Sequence, residues 1–180
     1  MEIPQKVALT IDEIYALPDG QRAELIDGCI YDMAPPSRTH QKILGMLYQA
    51  IANYIADKRG SCEVYSAPFA VFLNQDDFNY VEPDISVICN PDKLDDKGCN
   101  GAPDWVIEIV SPSSRRMDYF IKLFKYRSAG VREYWIVDPD KNRITVWNLD
   151  EENTEEFAFS DTVAVNIYDD FSIDFSAIDV

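Results

Sequence analysis

The chain has 180 residues, of which 47% are hydrophobic and 12% aromatic, a composition that supplies an ordinary globular core. Its 32 acidic and 16 basic residues give a formal net charge of −16, which argues against a simple nucleic-acid binder, because such proteins usually carry a basic face. No apolar run approaches the ~20 residues of a membrane span, and residues 1–6 do not resemble a signal peptide. These features predict one domain over residues 1–180 and a cytoplasmic location.

The cysteines are too far apart in the sequence to indicate a metal knuckle or a redox pair. No two of them lie within nine residues of each other. We therefore expect small core residues in a reducing compartment. The residues concerned are Cys29, Cys62, Cys89 and Cys99.

The first third of the chain predicts a short helix, a hairpin and a long helix. Residues 10–13 have the pattern of a capping box and open a helix of about seven residues. The Asp27-Gly28 pair supplies the positive φ angles of a tight turn, so residues 24–31 predict a hairpin. From about residue 37 to residue 58 the apolar positions recur at helical spacing, and Gly60 suits the left-handed position that ends such a helix.

The middle of the chain is rich in β-branched residues. Its candidate strands are residues 62–67, 69–73, 84–89 and 105–110. The stretch from 90 to 103 predicts a loop with room for one helical turn.

The last third predicts a helix, a second hairpin and weak strands. The helix starts at Pro112 and runs for about fifteen residues to Gly130, and the hairpin strands are residues 133–137 and 143–147. The strand–helix–strand unit from 105 to 137 predicts a parallel, right-handed crossover. The fold class predicted by this order is α/β, more fully an α+β mixed sheet flanked by helices.

Glu108 is the most informative residue, because it interrupts an otherwise apolar strand. An apolar run of this kind indicates a strand that is buried on both faces. An ionised carboxylate there costs several kcal/mol unless a cation or hydrogen-bond donors compensate its charge. Asp84 follows Pro83 and opens another candidate strand. Two acidic side chains on neighbouring strands can converge on one hard divalent cation such as Mg²⁺. The alternatives are a buried salt bridge for Glu108 and a strand-end aspartate for Asp84.

The helix after Glu108 carries a polar stripe. At 100° per residue, Asp118, Lys122 and Lys125 fall within a sector of about 60°. One interpretation is a solvent-facing stripe with an Asp118–Lys122 pair, and the other is that Lys122 reaches back toward Glu108. The apolar side that we expect to pack on the sheet consists of Met117, Phe120, Ile121 and Phe124.

Two further residues, His40 and Glu24, have plain interpretations when taken alone. His40 is the only histidine and lies in the first turns of the long helix, where a surface position is common. Glu24 fits an exposed strand residue. No glycine-rich phosphate loop, GxSxG or HExxH motif occurs.

Taken together, the motifs resemble the PD-(D/E)xK nuclease superfamily and, more closely, the Uma-type family of restriction endonuclease-like proteins. The resemblance spans roughly residues 24–149. Its segments are Glu24-Leu25-Ile26-Asp27-Gly28, Met33-Ala34-Pro35-Pro36-Ser37 with His40, Val81-Glu82-Pro83-Asp84-Ile85, Gly101 to Ser114, Asp118, Lys122, Tyr126, Gly130-Val131 and Glu133 to Pro139.

The resemblance implies a restriction-endonuclease-like core and a metal-dependent endonuclease, with DNA as the expected substrate. It implies that Asp84, Glu108 and the carbonyl of Ile109 hold Mg²⁺ or Mn²⁺, and that Glu24 and His40 are secondary members of the site. The superfamily places a lysine two residues after the glutamate, where this chain has Val110. The Uma-type pattern resembles cases in which this lysine has moved to the following helix. The resemblance therefore implies Lys122 as the site lysine, with Lys125 as the alternative.

A second hypothesis is a catalytically inactive relative that acts as a dimeric protein-interaction module. The net charge of −16 favours it, as do Tyr134 and Trp147 of the second hairpin if they are exposed. Under either hypothesis we expect a homodimer.

Overall fold

A six-stranded mixed sheet forms the centre of the computed structural model, which describes residues 8–178. From one edge to the other its strands are β11 (Asn153–Phe157), β10 (Arg143–Asn148), β9 (Glu133–Asp138), β8 (Trp105–Ile109), β5 (Ile85–Ile88) and β3 (Glu63–Ser66). β8 and β9 are parallel, and the other neighbours are antiparallel. The predicted fold class and the parallel connection between β8 and β9 are confirmed.

Smaller sheets and three α-helices surround this centre. The remaining strands are β1 (Ala23–Ile26), β2 (Cys29–Asp32), β4 (Val71–Phe72), β6 (Leu94–Asp95), β7 (Gly98–Asn100), β12 (Thr162–Ala164) and β13 (Ser172–Asp174). The helices are α1 (Ile11–Tyr15), α2 (Arg38–Lys58) and α3 (Leu123–Ala129), with a π-helical segment at Met117–Lys122 and 3₁₀ turns at Pro91–Lys93 and Phe175–Ala177.

Local sequence signals account for the ends of several elements. The carboxylate of Glu13 accepts a hydrogen bond from the backbone N–H of Thr10, which is half of the predicted capping box. The turn between β1 and β2 has positive φ at both Asp27 and Gly28, as a two-residue hairpin turn requires. Helix α2 ends at Lys58, as predicted, but Arg59 and not Gly60 adopts the left-handed conformation that follows it.

The central sheet is covered on both faces. On one face α2 packs Ile43, Leu47 and Ile51 against alternate residues of β5, β8 and β9. On the other face Val106 and Val110 pack with Tyr126 of α3. Glu108 shares this second face because side chains alternate along a strand. Both faces of β8 are therefore buried, as its sequence predicts.

The helical segment 117–129 docks in the opposite sense to the prediction. Phe120 and Phe124 are 70% and 68% exposed, whereas Asp118 and Lys122 are only 2% and 5% exposed. The expectation that both phenylalanines face the sheet is wrong, and so is the solvent-facing stripe. Each exposed phenylalanine loses about 1.5–3 kcal/mol of burial free energy. Leaving the buried carboxylates of Glu24 and Glu108 without a cation would cost more, so Lys122 lies on the buried side of the helix.

Two cysteines are paired, contrary to the prediction. Cys62 and Cys89 form a disulfide across a sequence separation of 27. The antiparallel register pairs Glu63 with Ile88, so the next positions outward are these two cysteines. Spacing in the sequence could not show this register. Cys99 is a buried core residue, as predicted.

Two smaller expectations are also corrected. The stretch from 90 to 103 contains β6 and β7, which pair with each other, while β7 also pairs with β4, and so it is more than a loop with one helical turn. Tyr134 is fully buried, and its hydroxyl donates to the carbonyl of Asp118 at 2.9 Å, so it cannot belong to a partner surface.

No helix within residues 8–178 combines the length and apolar character needed to cross a bilayer. Residues 1–7 and 179–180 lie outside the described residues, and with them the sequence-based view of the first six residues. One domain over residues 1–180 stays a prediction.

Candidate active site

A cavity of about 570 Å³ opens where the central strands meet the first turns of two helices. Its walls come from the loop before α2, from the ends of β5 and β8, and from the segment that leads into the π-helical turn. The structure brings all six residues of the predicted site into this cavity. They are Glu24, His40, Asp84, Glu108, Ile109 and Lys122.

Lys122 is the central cation of the site. Its Nζ lies 2.9 Å from the carboxylates of Glu24 and Glu108 and 3.9 Å from Asp118. Burial lowers the pKa of Lys122, but Glu108, Glu24 and Asp118 outweigh this effect and raise the pKa well above its ordinary value. Lys125, the competitor, forms an ion pair with Asp27 and does not line the cavity. The geometry therefore favours Lys122, whose catalytic role stays a prediction.

Glu108 is held by two donors on a single oxygen. Its Oε1 accepts from Lys122 Nζ at 2.9 Å and from the hydroxyl of Tyr126 at 2.6 Å. Burial raises the pKa of Glu108 well above its ordinary value; Lys122 opposes this rise, while the neighbouring carboxylates add to it. Tyr126 was not predicted to be a site residue, although its place one helical turn after Lys122 could have indicated a role.

Glu24 is a buried member of the site and not an exposed strand residue. It lies on β1, and its Oε1 accepts from the backbone N–H of Glu82 at 3.0 Å as well as from Lys122. The hairpin around Asp27-Gly28 carries this carboxylate into the cavity.

Asp84, His40 and Ile109 form a second group beside Lys122. Asp84 Oδ2 accepts from the backbone N–H of Ile109 at 2.7 Å and lies 3.1 Å from His40 Nε2. His40 is 9% exposed, so the surface interpretation does not hold. Burial lowers the pKa of His40, but its contact with Asp84 outweighs burial and the pKa is raised overall, with the Ile109 backbone contributing. The N-terminal cap of α2 positions His40, because the backbone N–H of His40 donates a hydrogen bond to Ser37 Oγ at 3.1 Å.

Asp118 is a site residue that the sequence analysis did not propose. It is buried, and Ser114 Oγ donates to its Oδ2 at 2.6 Å. Burial raises the pKa of Asp118 to about 6, although Lys122 and Ser114 lower it. The Asp118–Lys122 spacing was visible in the sequence, but it indicated a surface pair equally well.

A known protein family matches nearly the whole chain. Residues 11–179 match the family model "Uma2: Putative restriction endonuclease". The chain belongs to the Uma2 family. The predicted resemblance is thereby confirmed.

Two further proteins are similar to this Uma2 chain. It is 26% identical over 133 residues to "Uncharacterized protein slr1290" of a Synechocystis species, an alignment that covers 73% of this chain and 68% of that protein. A crystal structure of "a putative nuclease belonging to DUF820" from Anabaena variabilis superposes with a TM-score of 0.71 at 24% identity, covering 87% of this chain and 89% of the other. That structure shows a shared fold.

The Uma2 cavity carries an excess of negative charge that a divalent cation would offset. Four carboxylates, those of Glu24, Asp84, Glu108 and Asp118, face Lys122 and His40. Within residues 8–178, Asp84 Oδ1 and Glu108 Oε2 accept no hydrogen bond, and both are oxygens of the kind that Mg²⁺ prefers. The donor chemistry therefore fits. The described residues contain no group of three or more His, Cys, Asp or Glu side chains already spaced to hold a metal ion. Lys122 forms ion pairs with both Glu24 and Glu108.

Proposed function

We propose that the chain is a metal-dependent endonuclease that hydrolyses phosphodiester bonds of nucleic acid, with DNA as the expected substrate. The observation that carries the proposal is Lys122, buried between Glu24 and Glu108 in a cavity that Asp84 and His40 also line. Membership of a family described as putative restriction endonucleases supports it, as does the fold shared with a protein described as a putative nuclease.

Asp84, Glu108 and the carbonyl of Ile109 would hold Mg²⁺ or Mn²⁺. Such an ion supplies an activated water and neutralises charge on the phosphate. The hydrogen bond from the Ile109 N–H to Asp84 fixes that carboxylate against the end of β8, and His40 fixes the same oxygen from the side of α2. The other oxygen of Asp84 is then left for a ligand.

Lys122 would stabilise negative charge as it develops on the phosphate. Contact with Glu108, Glu24 and Asp118 raises the pKa of Lys122, which favours the ammonium form and an electrostatic role over that of a general base. A buried cation at a fixed position is an effective electrostatic stabiliser, because it does not have to reorganise during the reaction. Glu24 and Glu108 hold the ammonium in place from two sides.

The test is cleavage of single- and double-stranded DNA, and of RNA, with Mg²⁺, Mn²⁺ or EDTA. Lys122→Met keeps the volume of the side chain and removes its charge, so we expect divalent-dependent cleavage to be lost. Lys125→Met is the matched control and should keep most of the activity, because Lys125 pairs with Asp27 outside the cavity. Equal cleavage by the parent and by Lys122→Met contradicts the role of Lys122, and no divalent-dependent cleavage of any substrate contradicts the function.

One observation favours the alternative of a catalytically inactive, dimeric interaction module. Phe120 and Phe124 are among the large exposed apolar side chains, and they lie one helical turn apart. Such a pair fits a surface that a second copy would cover. Sedimentation of the parent and of Phe120→Ser/Phe124→Ser distinguishes the two: a dimer that dissociates in the variant, together with no cleavage by the parent, supports the module.

A further inference from the structure

The protein repels the phosphate backbone of a nucleic acid at long range, because its formal net charge is −16. Eight of the 16 arginines and lysines do little to relieve this repulsion, because each forms an ion pair with a carboxylate. The ion pairs are Arg22–Glu82, Lys58–Asp170, Arg115–Asp138, Lys122–Glu108, Lys125–Asp27, Arg127–Glu152, Arg132–Asp150 and Arg143–Glu156.

Arg38 and Arg116 differ from these residues. Both are exposed, and neither side chain makes an ion pair or hydrogen bond with any residue of the range 8–178. Arg38 is the first residue of α2 and lies between Ser37 and Thr39, both of which line the cavity. Arg116 directly precedes Met117, which lines the cavity on the opposite helix. Two exposed positive charges are therefore next in sequence to cavity-lining residues, one on each of two walls, although neither arginine itself lines the cavity.

The cavity fits one strand better than a duplex. Its volume of about 570 Å³ matches the ~300–1,000 Å³ of pockets for drug-sized ligands, so it holds a short stretch of one strand. Glu108 and Lys122 are only 4% and 5% exposed, so the reacting phosphate has to enter. Tyr31 and Met33 in the wall offer flat and apolar surface to an unstacked base.

We infer that Arg38 and Arg116 bind the phosphates on either side of the scissile one, on a single nucleic-acid strand that enters the cavity. This inference rests on the proposed nuclease function and adds the substrate form and two binding residues. An arginine contributes a fixed fork of donors that matches phosphate oxygens, and it stays charged at every working pH. The two arginines supply locally the attraction that the molecule as a whole lacks.

The experiment measures binding of a fluorescein-labelled single-stranded oligodeoxynucleotide by anisotropy, from 50 to 200 mM salt, with Ca²⁺ replacing Mg²⁺. Two double variants are compared, Arg38→Gln/Arg116→Gln and the control Arg59→Gln/Lys97→Gln. The control removes the same charge from two exposed residues that neither line this cavity nor adjoin in sequence a residue that lines it. Each phosphate contact contributes about −0.7 to the slope of log K against log salt for single strands.

We expect the Arg38/Arg116 variant to bind at least about tenfold more weakly at 50 mM salt, with a slope shallower by about 1.4, while the control keeps the slope of the parent. Its KM for cleavage should rise while kcat stays near that of the parent. Equal slopes for the two double variants overturn the inference, as does equal or tighter binding of a duplex of the same sequence, or no binding by the parent. Binding that depends on the two arginines, without cleavage, supports the inference and contradicts only the proposed nuclease function.

Discussion

At the scale of the residue, the site is a cluster of carboxylates with too little positive charge. Burial and mutual repulsion raise the pKa of Glu108 and of Asp118. Lys122 is the nearest source of compensation, and it contacts Glu24 and Glu108 at the same distance. The rest of the fold holds such a cluster together, and under the proposed function a bound divalent cation would relieve the repulsion between its carboxylates.

Glu108→Gln therefore should not destabilise the protein when metal is absent. The amide keeps an acceptor for Tyr126 and Lys122 while removing one of the repelling charges, and Lys122 keeps Glu24 as its partner. We expect Mn²⁺ affinity to be lost in calorimetric titration and the melting temperature in EDTA to be unchanged or higher. A large drop in melting temperature in EDTA would show instead that Glu108 serves as a structural salt bridge.

Asp118 predicts a specific dependence of stability on pH. Its pKa rises on folding from 3.8 to about 6, chiefly through burial, so the folded state binds the proton more tightly. The resulting stabilisation is complete below pH 3.8 and is lost as the pH rises through about 6. At 1.36 kcal/mol per pH unit this interval corresponds to about 3 kcal/mol.

Asp118→Asn removes this titration but keeps an acceptor for Ser114. Urea unfolding of both proteins between pH 4 and pH 7 should show the variant gaining stability relative to the parent as the pH rises, by up to about 3 kcal/mol. A difference that does not change with pH would refute the assignment.

Sequence reasoning located the acidic residues better than their partners. Glu108 stood out because a charge in an apolar strand demands compensation, and Lys122 followed from the family pattern. Tyr126 and Asp118 were not proposed as site members, because tyrosines and aspartates on helices have many uses and a spacing of four residues does not say which side is buried. The site roles themselves stay predictions until the variants are measured.

At the scale of the element, the segment 117–129 shows where periodicity fails. Apolar residues on one side of a helix normally mark the buried side, and here Phe120 and Phe124 are outside. The π-helical turn at Met117–Lys122 adds to the difference, since it changes the angle between successive side chains. The buried carboxylates of β1 and β8 decide the orientation, and they come from distant parts of the sequence.

This orientation predicts that the two phenylalanines contribute little to folding. Phe120→Ser and Phe124→Ser should each change the free energy of unfolding by less than about 0.5 kcal/mol in a monomer. Ile107→Ala on β8 is the buried control and should cost about 2–5 kcal/mol. Denaturant unfolding of the three variants tests this, and a cost above about 2 kcal/mol for either phenylalanine would mean that the face is covered.

At the scale of the whole molecule, the sequence predicted the mixed sheet, its parallel pair, the β1–β2 hairpin and the strand that contains β4, but not β6 and β7. Strands β6 and β7 have two and three residues, too few for a pattern of alternation. The Cys62–Cys89 pair was missed for a related reason, since it depends on the register between β3 and β5.

The disulfide makes stability sensitive to the redox state. It joins two strands of the central sheet across 27 residues, and the loop-entropy model gives about 3–4 kcal/mol for a loop of that length. We expect dithiothreitol to lower the urea midpoint of the parent and to leave Cys62→Ala/Cys89→Ala unaffected. An unchanged midpoint in the parent would show that the bond contributes nothing.

The ion pair between Glu24 and Lys122 joins residues 98 positions apart in the chain. Contacts of such long range form late in folding, because the entropy cost of closing the loop comes before the contact can stabilise the chain. Folds dominated by such contacts fold slowly. A chain emerging from the ribosome therefore has no assembled site until the helix that carries Lys122 has been made and has docked. Under the proposed function, partly folded or truncated chains would have no cleavage activity, so unfinished products of synthesis would not cut the nucleic acid of the cell.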